Sequence, residues 1–385
     1  MLFATFACIF LGLTELERII SRNTNFVDHF MHIAFASEPL NTYTFSYDAC
    51  FPPLAYCFYY FLWKINPIYE SNKLNWEIYK DANNNMLLVC MLYIFISFLL
   101  LYLVRKYLNF ISFELQMLVT ALILLSWPAF GISFQSGNIV ILISILLGIA
   151  YYLRNRQSKV SREIALILIA VATGFKIYPA FAGILYLKEK RWSEACRLFL
   201  YGIVLFFLPF IFFGGIEGMK NFFWLLFIRE HETVYRYNTV RGGINTIFKI
   251  AGFNVELGNI LAIVGEQVFL LLSVIMILLS KSEWKTAVYI GAVLSFYVPT
   301  NYSYTAVYFI PGFLCFLKEK YENVPLRLID LVYLFLFSNV FSLPFYFKII
   351  NYPLGNGIFI YLFILVGIIF VEDMVKLKTR NAIMI

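Results

Sequence analysis

Apolar runs separated by short charged stretches recur along the whole chain. They cover roughly residues 1–20, 85–104, 114–131, 138–153, 163–187, 198–216, 258–280, 286–299, 303–317, 328–345 and 357–372. A shorter run, 51–63, opens on Pro52-Pro53. Runs approaching 18 to 20 residues predict helices that cross a membrane. The polar stretches of note are 21–50, 64–84 and 217–257, and neither an internal repeat nor a low-complexity linker interrupts the series. The pattern predicts one all-α, polytopic integral-membrane domain over 1–385. Residues 21–84 form its first outer loop, with interfacial helices, and 217–257 a long outer loop.

The run 163–187 departs from the others. Between Glu163 and Lys188 the only charged residue is Lys176, and Pro179 follows three positions later. A lysine at membrane depth is expensive, and proline removes a rung of the helix ladder. The pair predicts a helix–break–helix hairpin with arms 164–175 and 177–187. Each arm is about 16 to 18 Å long as a helix, against a hydrocarbon core of about 30 Å. So short a hairpin ends at a water-filled cavity sunk into the membrane, the setting that tolerates a broken helix. With 51–63 lying in the interface, the chain crosses twelve times and both termini are cytoplasmic. That arrangement puts 18 of the 30 Lys and Arg residues in inside loops, as the positive-inside rule favours. Single crossings at 51–63 and 163–187 would divide them 15 and 15.

Composition narrows the class. The chain is 61% hydrophobic and 14% charged, far from the roughly half-apolar, quarter-charged soluble domain. Basic inside loops account for most of the net charge of +7, so no nucleic-acid partner is expected. The six cysteines form no CxxC and no Cys/His cluster, which gives neither a zinc site nor a disulfide framework. No cofactor is called for and a divalent metal is not indicated. Glu15, Glu17 and Arg18 follow the first run, so no cleaved leader is expected.

The predicted topology collects the unusual polar stretches on the outer side: "NTNFVDHFMH" (23–32), "YDACFPPLAY" (47–56), "FQSGN" (134–138), "FKIYP" (175–179), "REHETVYRYNTVRGGIN" (229–245) and "PTNYSYT" (299–305). Asp28 reads as an ordinary loop or helix-start carboxylate, or as a general base taking a proton from an acceptor hydroxyl. Asp48 is the rival base. Lys176 reads as a snorkelling or paired lysine, or as a ligand for a lipid phosphate. Arg229, Arg236 and Arg241 add guanidinium forks that suit phosphate or lipid headgroups. Gln135 and Asn138 suit sugar hydroxyls, and Asn138 equally suits the cap of the helix that follows. His231 has no metal-ligand spacing to Glu230 or Glu232. His29 and His32, at i and i+3, face together and read as interfacial.

The order of these pieces resembles the C-superfamily integral-membrane glycosyltransferases, and is most similar to glycosyltransferase family 87, the polyprenol-phosphate-mannose-dependent transferases. The resemblance covers residues 1 to 318. It rests on Asp28 with "CFPPLAY", on "FQSGNIVILISILLGIAYYLRNR", on "ATGFKIYPAFAGILYLKEKRW", on "YNTVRGGINTIFKI" and on "YVPTNYSYTAVYFIP". Two departures stand out. The Gly-Gln-x-Asn turn reads Gln-Ser-Gly-Asn, and the late aromatic-x-His reads Tyr302-Ser-Tyr304. The resemblance implies an inverting hexosyltransferase, with mannose as the sugar, in the inner cell membrane with its active site facing outward. Its donor is a polyprenyl-phosphate sugar and its acceptor a glycan or glycolipid. Asp28 acts as base, and Lys176 with the loop arginines holds the phosphate. Tyr178, His231, Asn238, Asn301 and Tyr304, with Gln135 and Asn138, are substrate-binding candidates. A polysaccharide polymerase or ligase using a lipid-linked oligosaccharide is the alternative; a lipid-sugar flippase or transporter, which favours paired repeats, is a further one.

Overall fold

The computed structural model describes residues 26–44, 49–65, 83–124, 133, 136–229, 239–297, 303–322, 326–341, 348–349, 352–353 and 358–383. In chain order the helices are α1 (Val27–Ser37), α2 (Pro53–Ile65), α3 (Asn83–Tyr107), α4 (Phe113–Leu124), α5 (Val140–Leu153), α6 (Lys159–Phe175), α7 (Ile184–Lys188), α8 (Trp192–Phe207), α9 (Gly215–Trp224), α10 (Val240–Ile250), α11 (Val255–Leu279), α12 (Glu283–Phe296), α13 (Ile310–Glu322), α14 (Leu328–Phe341) and α15 (Ile358–Ile383). Short 3₁₀ segments precede α7 and α13 and follow α8. The one ladder among the described residues pairs Lys348–Ile349 with Tyr352–Pro353. The expected all-α class therefore holds. Among the described residues two helical stretches are long and apolar enough to cross a membrane, Trp192–Phe212 and Glu256–Leu279, with mean hydropathies of 2.2 and 2.5, against the twelve crossings expected from the sequence.

The chain forms two compact units, one within 17–103 and 133–234, the other within 104–132 and 235–385. In the first, α5, α6 and α8 pack around Ala150, Ala165, Leu166, Ile169, Ala170, Ala182, Tyr186 and Leu198. Alanines at these positions let helix backbones approach closely.

Ala182 and Tyr186 in that core fix the path of the chain beyond Lys176. They share one buried cluster with Ala165 and Leu166, so the chain has turned back toward the start of α6. The ends meet accordingly. Arg154, which follows α5, pairs with Glu189; Arg191 Nη2 donates to the Arg154 carbonyl at 2.9 Å; Arg191 also pairs with Glu194. Arg197 bonds Glu163 at 3.2 Å and Arg162 pairs with Glu194 at 3.4 Å. The predicted hairpin is present, with one correction: its first arm is longer than 164–175. Ser158 caps α6 through Ser161 N–H, and the 17 residues from Lys159 rise about 26 Å. The return over 178–188 begins with six residues of 3₁₀ helix, Tyr178–Gly183. A 3₁₀ turn rises about 2.0 Å per residue, so this arm reaches about 20 Å where an α-helix of the same length would reach about 17 Å.

The expected loop 217–257 is instead helical over Gly215–Arg229, ending in a π turn, and again over α10. In the second unit α12 is buried from Trp284 to Phe296. Lys285 Nζ reaches Glu372 at 2.6 Å and Asp373 at 2.5 Å, and Tyr333 donates to Glu372 at 2.7 Å. This network ties α15 to α12 and α14.

Gly174 sits where α2 and α8 close on the end of α6. A Cβ there would stand 2.6 Å from Leu54 Cδ2 and 3.3 Å from the Leu205 carbonyl. Gly174→Val should destabilise the protein by about 1–3 kcal/mol through overpacking. Gly202→Ala, with nothing within 4 Å, should be neutral or stabilising by up to about 1 kcal/mol. Apparent melting temperatures of the detergent-purified variants check both.

Candidate functional site

The first unit brings together segments that are far apart in sequence. Asp28 lies in the first turn of α1, at its positive end. The chain enters α1 through Phe26 in the left-handed region, φ 58°. Against it stands the turn before α5. Gly137 has φ +66°, and a Cβ there would meet His29 Cβ at 2.8 Å. Glycine is therefore required on both counts, backbone conformation and space. The Gly137 carbonyl accepts from the Tyr93 hydroxyl.

Asn138 links the two elements. Its Oδ1 accepts the Val140 N–H at 3.1 Å, and its Nδ2 donates to Asp28 Oδ2 at 2.7 Å. Asn138 itself is buried. The bond from the Val140 N–H fixes which end of the amide is oxygen, and so guarantees that the donating nitrogen faces the carboxylate. Of the two roles expected for Asn138, the structure displays one close to the cap: a turn bond to the Val140 N–H just before Ile139, the capping residue of α5. It adds one the sequence did not suggest, the hold on Asp28.

An aromatic floor adjoins Asp28, whose charge acts on Tyr59. His32 stacks on Phe51, centroids 4.0 Å apart, and on Tyr59 at 5.4 Å. Lys176 Nζ sits over the other ring contact of this floor, 5.0 Å from the Phe51 centroid, a cation–π geometry. Asp28 is close enough to act electrostatically on Lys176, and Lys176 on His32. Lys176 follows the last residue of α6 in an extended conformation, φ −146° and ψ 141°. The helix ends there, and Pro179, in the first turn of the 3₁₀ segment, cannot continue an α ladder.

The expected interfacial placement of His29 and His32 is corrected. Both are 2% exposed, because α2 and α3 cover the face they share. Tyr93 spends its single proton on the Gly137 carbonyl, so His29 Nδ1 acts as the donor toward Tyr93 Oη, at 3.4 Å. Tyr56 Oη accepts from Phe51 N–H at 3.5 Å and shares a hydrogen bond with His32 Nδ1 at 3.2 Å. Burial pulls both imidazoles down to about 3, with the Lys176 charge adding to the effect on His32. Both are neutral structural rings at physiological pH.

Tyr178, half-buried, begins the return arm two positions after Lys176. Arg241 and Tyr304 belong to the second unit, Arg241 in the first turn of α10 and Tyr304 buried in the 3₁₀ segment before α13. Asp48, Gln135, His231, Arg236, Asn238 and Asn301 lie outside the described residues, as does the side chain of Arg229. Among the described residues no three His, Cys, Asp or Glu side chains gather at metal-ligand range. The sequence reading passed over Glu266, an acid 6% exposed in the middle of α11. Its signal was available: one charge in a long apolar run, as with Lys176.

Comparison with known proteins gives one family. The sequence model of glycosyltransferase family 87 matches residues 84–300, more than half of the chain. No curated protein matches.

The neutral histidines set the acid stability. Their pKa is lowered on folding, so the unfolded chain binds more protons between about pH 3 and 6.5, and stability falls as pH drops through that window. The slope should be about 1 kcal/mol per pH unit for each imidazole. His32→Gln should flatten it, measured as melting temperature against pH.

Proposed function

The chain belongs to glycosyltransferase family 87 and is a glycosyltransferase with the character of a membrane protein; we propose that it moves a single hexose, mannose by family resemblance, from a polyprenyl-phosphate donor to a glycan or glycolipid acceptor on the outer face of the cell membrane. The observation that carries this reading is the convergence of Asp28 and Lys176, a carboxylate and an ammonium from distant segments, over one aromatic floor.

Asp28 takes the proton from the acceptor hydroxyl. The hydroxyl oxygen attacks the anomeric carbon from the face opposite the phosphate. The new C–O bond forms as the bond from that carbon to the phosphate oxygen breaks, and configuration inverts. The electron pair leaves on the polyprenyl phosphate. Charge grows on its oxygens in the transition state, and Lys176, already fixed over Phe51, stabilises it there without reorganising. Asn138 Nδ2 holds the Oδ2 of Asp28 in place. Tyr178, two positions after Lys176, contributes a polar edge to the substrate path. The outer face is inferred from charge: the expected topology gathers 18 of the 30 Lys and Arg residues in its inside loops.

The test uses membranes containing the wild type, Asp28→Asn and Lys176→Met, each given labelled polyprenyl-phosphate hexose, the matching nucleotide sugar or a labelled lipid-linked oligosaccharide. Transfer is expected from the polyprenyl monophosphate sugar alone. It should fall about 10²–10⁴-fold in Asp28→Asn and about 10²–10³-fold in Lys176→Met, with both proteins still inserted. Chain growth from the oligosaccharide alone would overturn the reading in favour of a polymerase.

Asn138→Asp separates the turn bond from positioning. Aspartate still accepts the Val140 N–H but cannot donate to Asp28 and sets a like charge against it. The melting temperature should stay within a few degrees while transfer drops at least about tenfold, a loss of about 1.4 kcal/mol in transition-state stabilisation.

A further inference from the structure

A cavity of about 150 Å³ lies where the end of α11 and the start of α12 meet α13, α14 and α15. It belongs wholly to the second unit, and the chemistry above does not use it. Four of its lining residues are cations, Lys281, Lys285, Arg327 and Lys376, and two are acids, Glu319 and Asp373. Positive charge is therefore in excess at its wall. The excess survives, by one charge, when Lys320, Asp330 and Glu372, which bond to that wall, are counted with it.

These cations are not equally committed. Lys285 is buried between Glu372 and Asp373, at 2.6 and 2.5 Å. Arg327 pairs with Asp330 at 2.9 Å and with Glu372 at 3.1 Å. Lys376 reaches Glu372 at 2.8 Å with half of its side chain exposed. Lys281 is exposed and forms no ion pair with a described residue. The start of α12 adds to the wall. Ser282 spends its hydroxyl on Glu319 at 2.8 Å and leaves α12 without a side-chain cap, so first-turn amides on Trp284 and Lys285 lack a helical partner.

The depth of the cavity in the bilayer indicates what carries the anion. Met276 and Leu279, at the end of the span Glu256–Leu279, form its apolar edge. Over the same final turns Ile275, Leu278 and Leu279 are 39%, 44% and 50% exposed, as side chains facing acyl chains would be. A span ends at the level of the headgroups, and basic recesses between helices at that level suit the phosphates of anionic lipids. A soluble phosphate would use the cations alone; a lipid uses the cations and the apolar edge together. The excess of positive charge favours a headgroup of net negative charge over a zwitterionic one. We propose that this cavity binds the phosphodiester of an anionic phospholipid, with Lys281 and Lys376 at its mouth and an acyl chain along Ile275 and Leu278 of α11. The site stands apart from Asp28 and Lys176 and does not depend on the identity of the transferred sugar.

The full chain, purified in detergent, is titrated with phosphatidylglycerol, phosphatidylcholine or inorganic phosphate, with melting temperature and bound radiolabel as readouts. Phosphatidylglycerol should bind at least about tenfold more tightly than either of the others. Lys281→Gln combined with Lys376→Gln should weaken that binding about tenfold, the scale of a hydrogen bond to a charged group. The lipid-free melting temperature should hardly move, since Lys285 and Arg327 still engage Glu372. Lys159→Gln combined with Lys220→Gln, which removes two exposed charges from the first unit, should change binding by less than about twofold. No loss in the first pair, an equal loss in both pairs, or a wild type that binds phosphatidylcholine as tightly overturns the proposal. Inorganic phosphate that binds as tightly as the lipid, and is lost in the first pair, overturns the lipid in favour of a soluble anion.

Discussion

A half-buried charge at the end of a helix governs the first unit. Lys176 sits at a point where the chain must stop being an α-helix, and the hairpin around it exists because that is the one place where a broken backbone and an ammonium are tolerated together. The remaining features of the unit answer to that point. Small residues along α6 let the return arm lie close, Gly174 admits Leu54, and the cluster of Arg154, Glu189, Arg191 and Glu194 closes the far ends. Phe51 supplies a ring face in place of water, and the histidines that could have competed as cations are held neutral by burial.

Asp28 is governed by a different constraint, direction. A carboxylate at the start of a helix can swing between backbone, solvent and neighbours. Here a single amide, itself oriented by a turn bond, fixes one oxygen. The precision depends on the left-handed turn at Gly137, since any side chain there would push α1 away. Positioning thus passes from a backbone conformation to a turn bond, and from that bond to the carboxylate.

The helical class and the break at Lys176 were legible in the sequence because both are local: apolar periods, one lysine and one proline suffice. Asp28 was legible only as a candidate, because what distinguishes it from a loop acid is Asn138, 110 positions away. His29 and His32 were correctly read as sharing a face, but the face's partners, Tyr56, Tyr59 and Tyr93, come from other helices, so burial was misread. The first arm of the hairpin was drawn too short because charged residues at its start, Arg162 and Glu163, look like loop; their charges are matched by Glu194 and Arg197. Glu266 was missed although the argument that found Lys176 applies to it unchanged.

The unequal arms of the hairpin bear on how the protein is made. The return arm, eleven residues from Tyr178 to Lys188, is little more than half the roughly 20 residues by which an insertion machinery recognises a span. It cannot be placed in the bilayer by its own hydrophobicity, and its stretched 3₁₀ geometry has no reason to form away from α6. The return arm therefore forms only together with the helices whose core it shares, α5, α6 and α8.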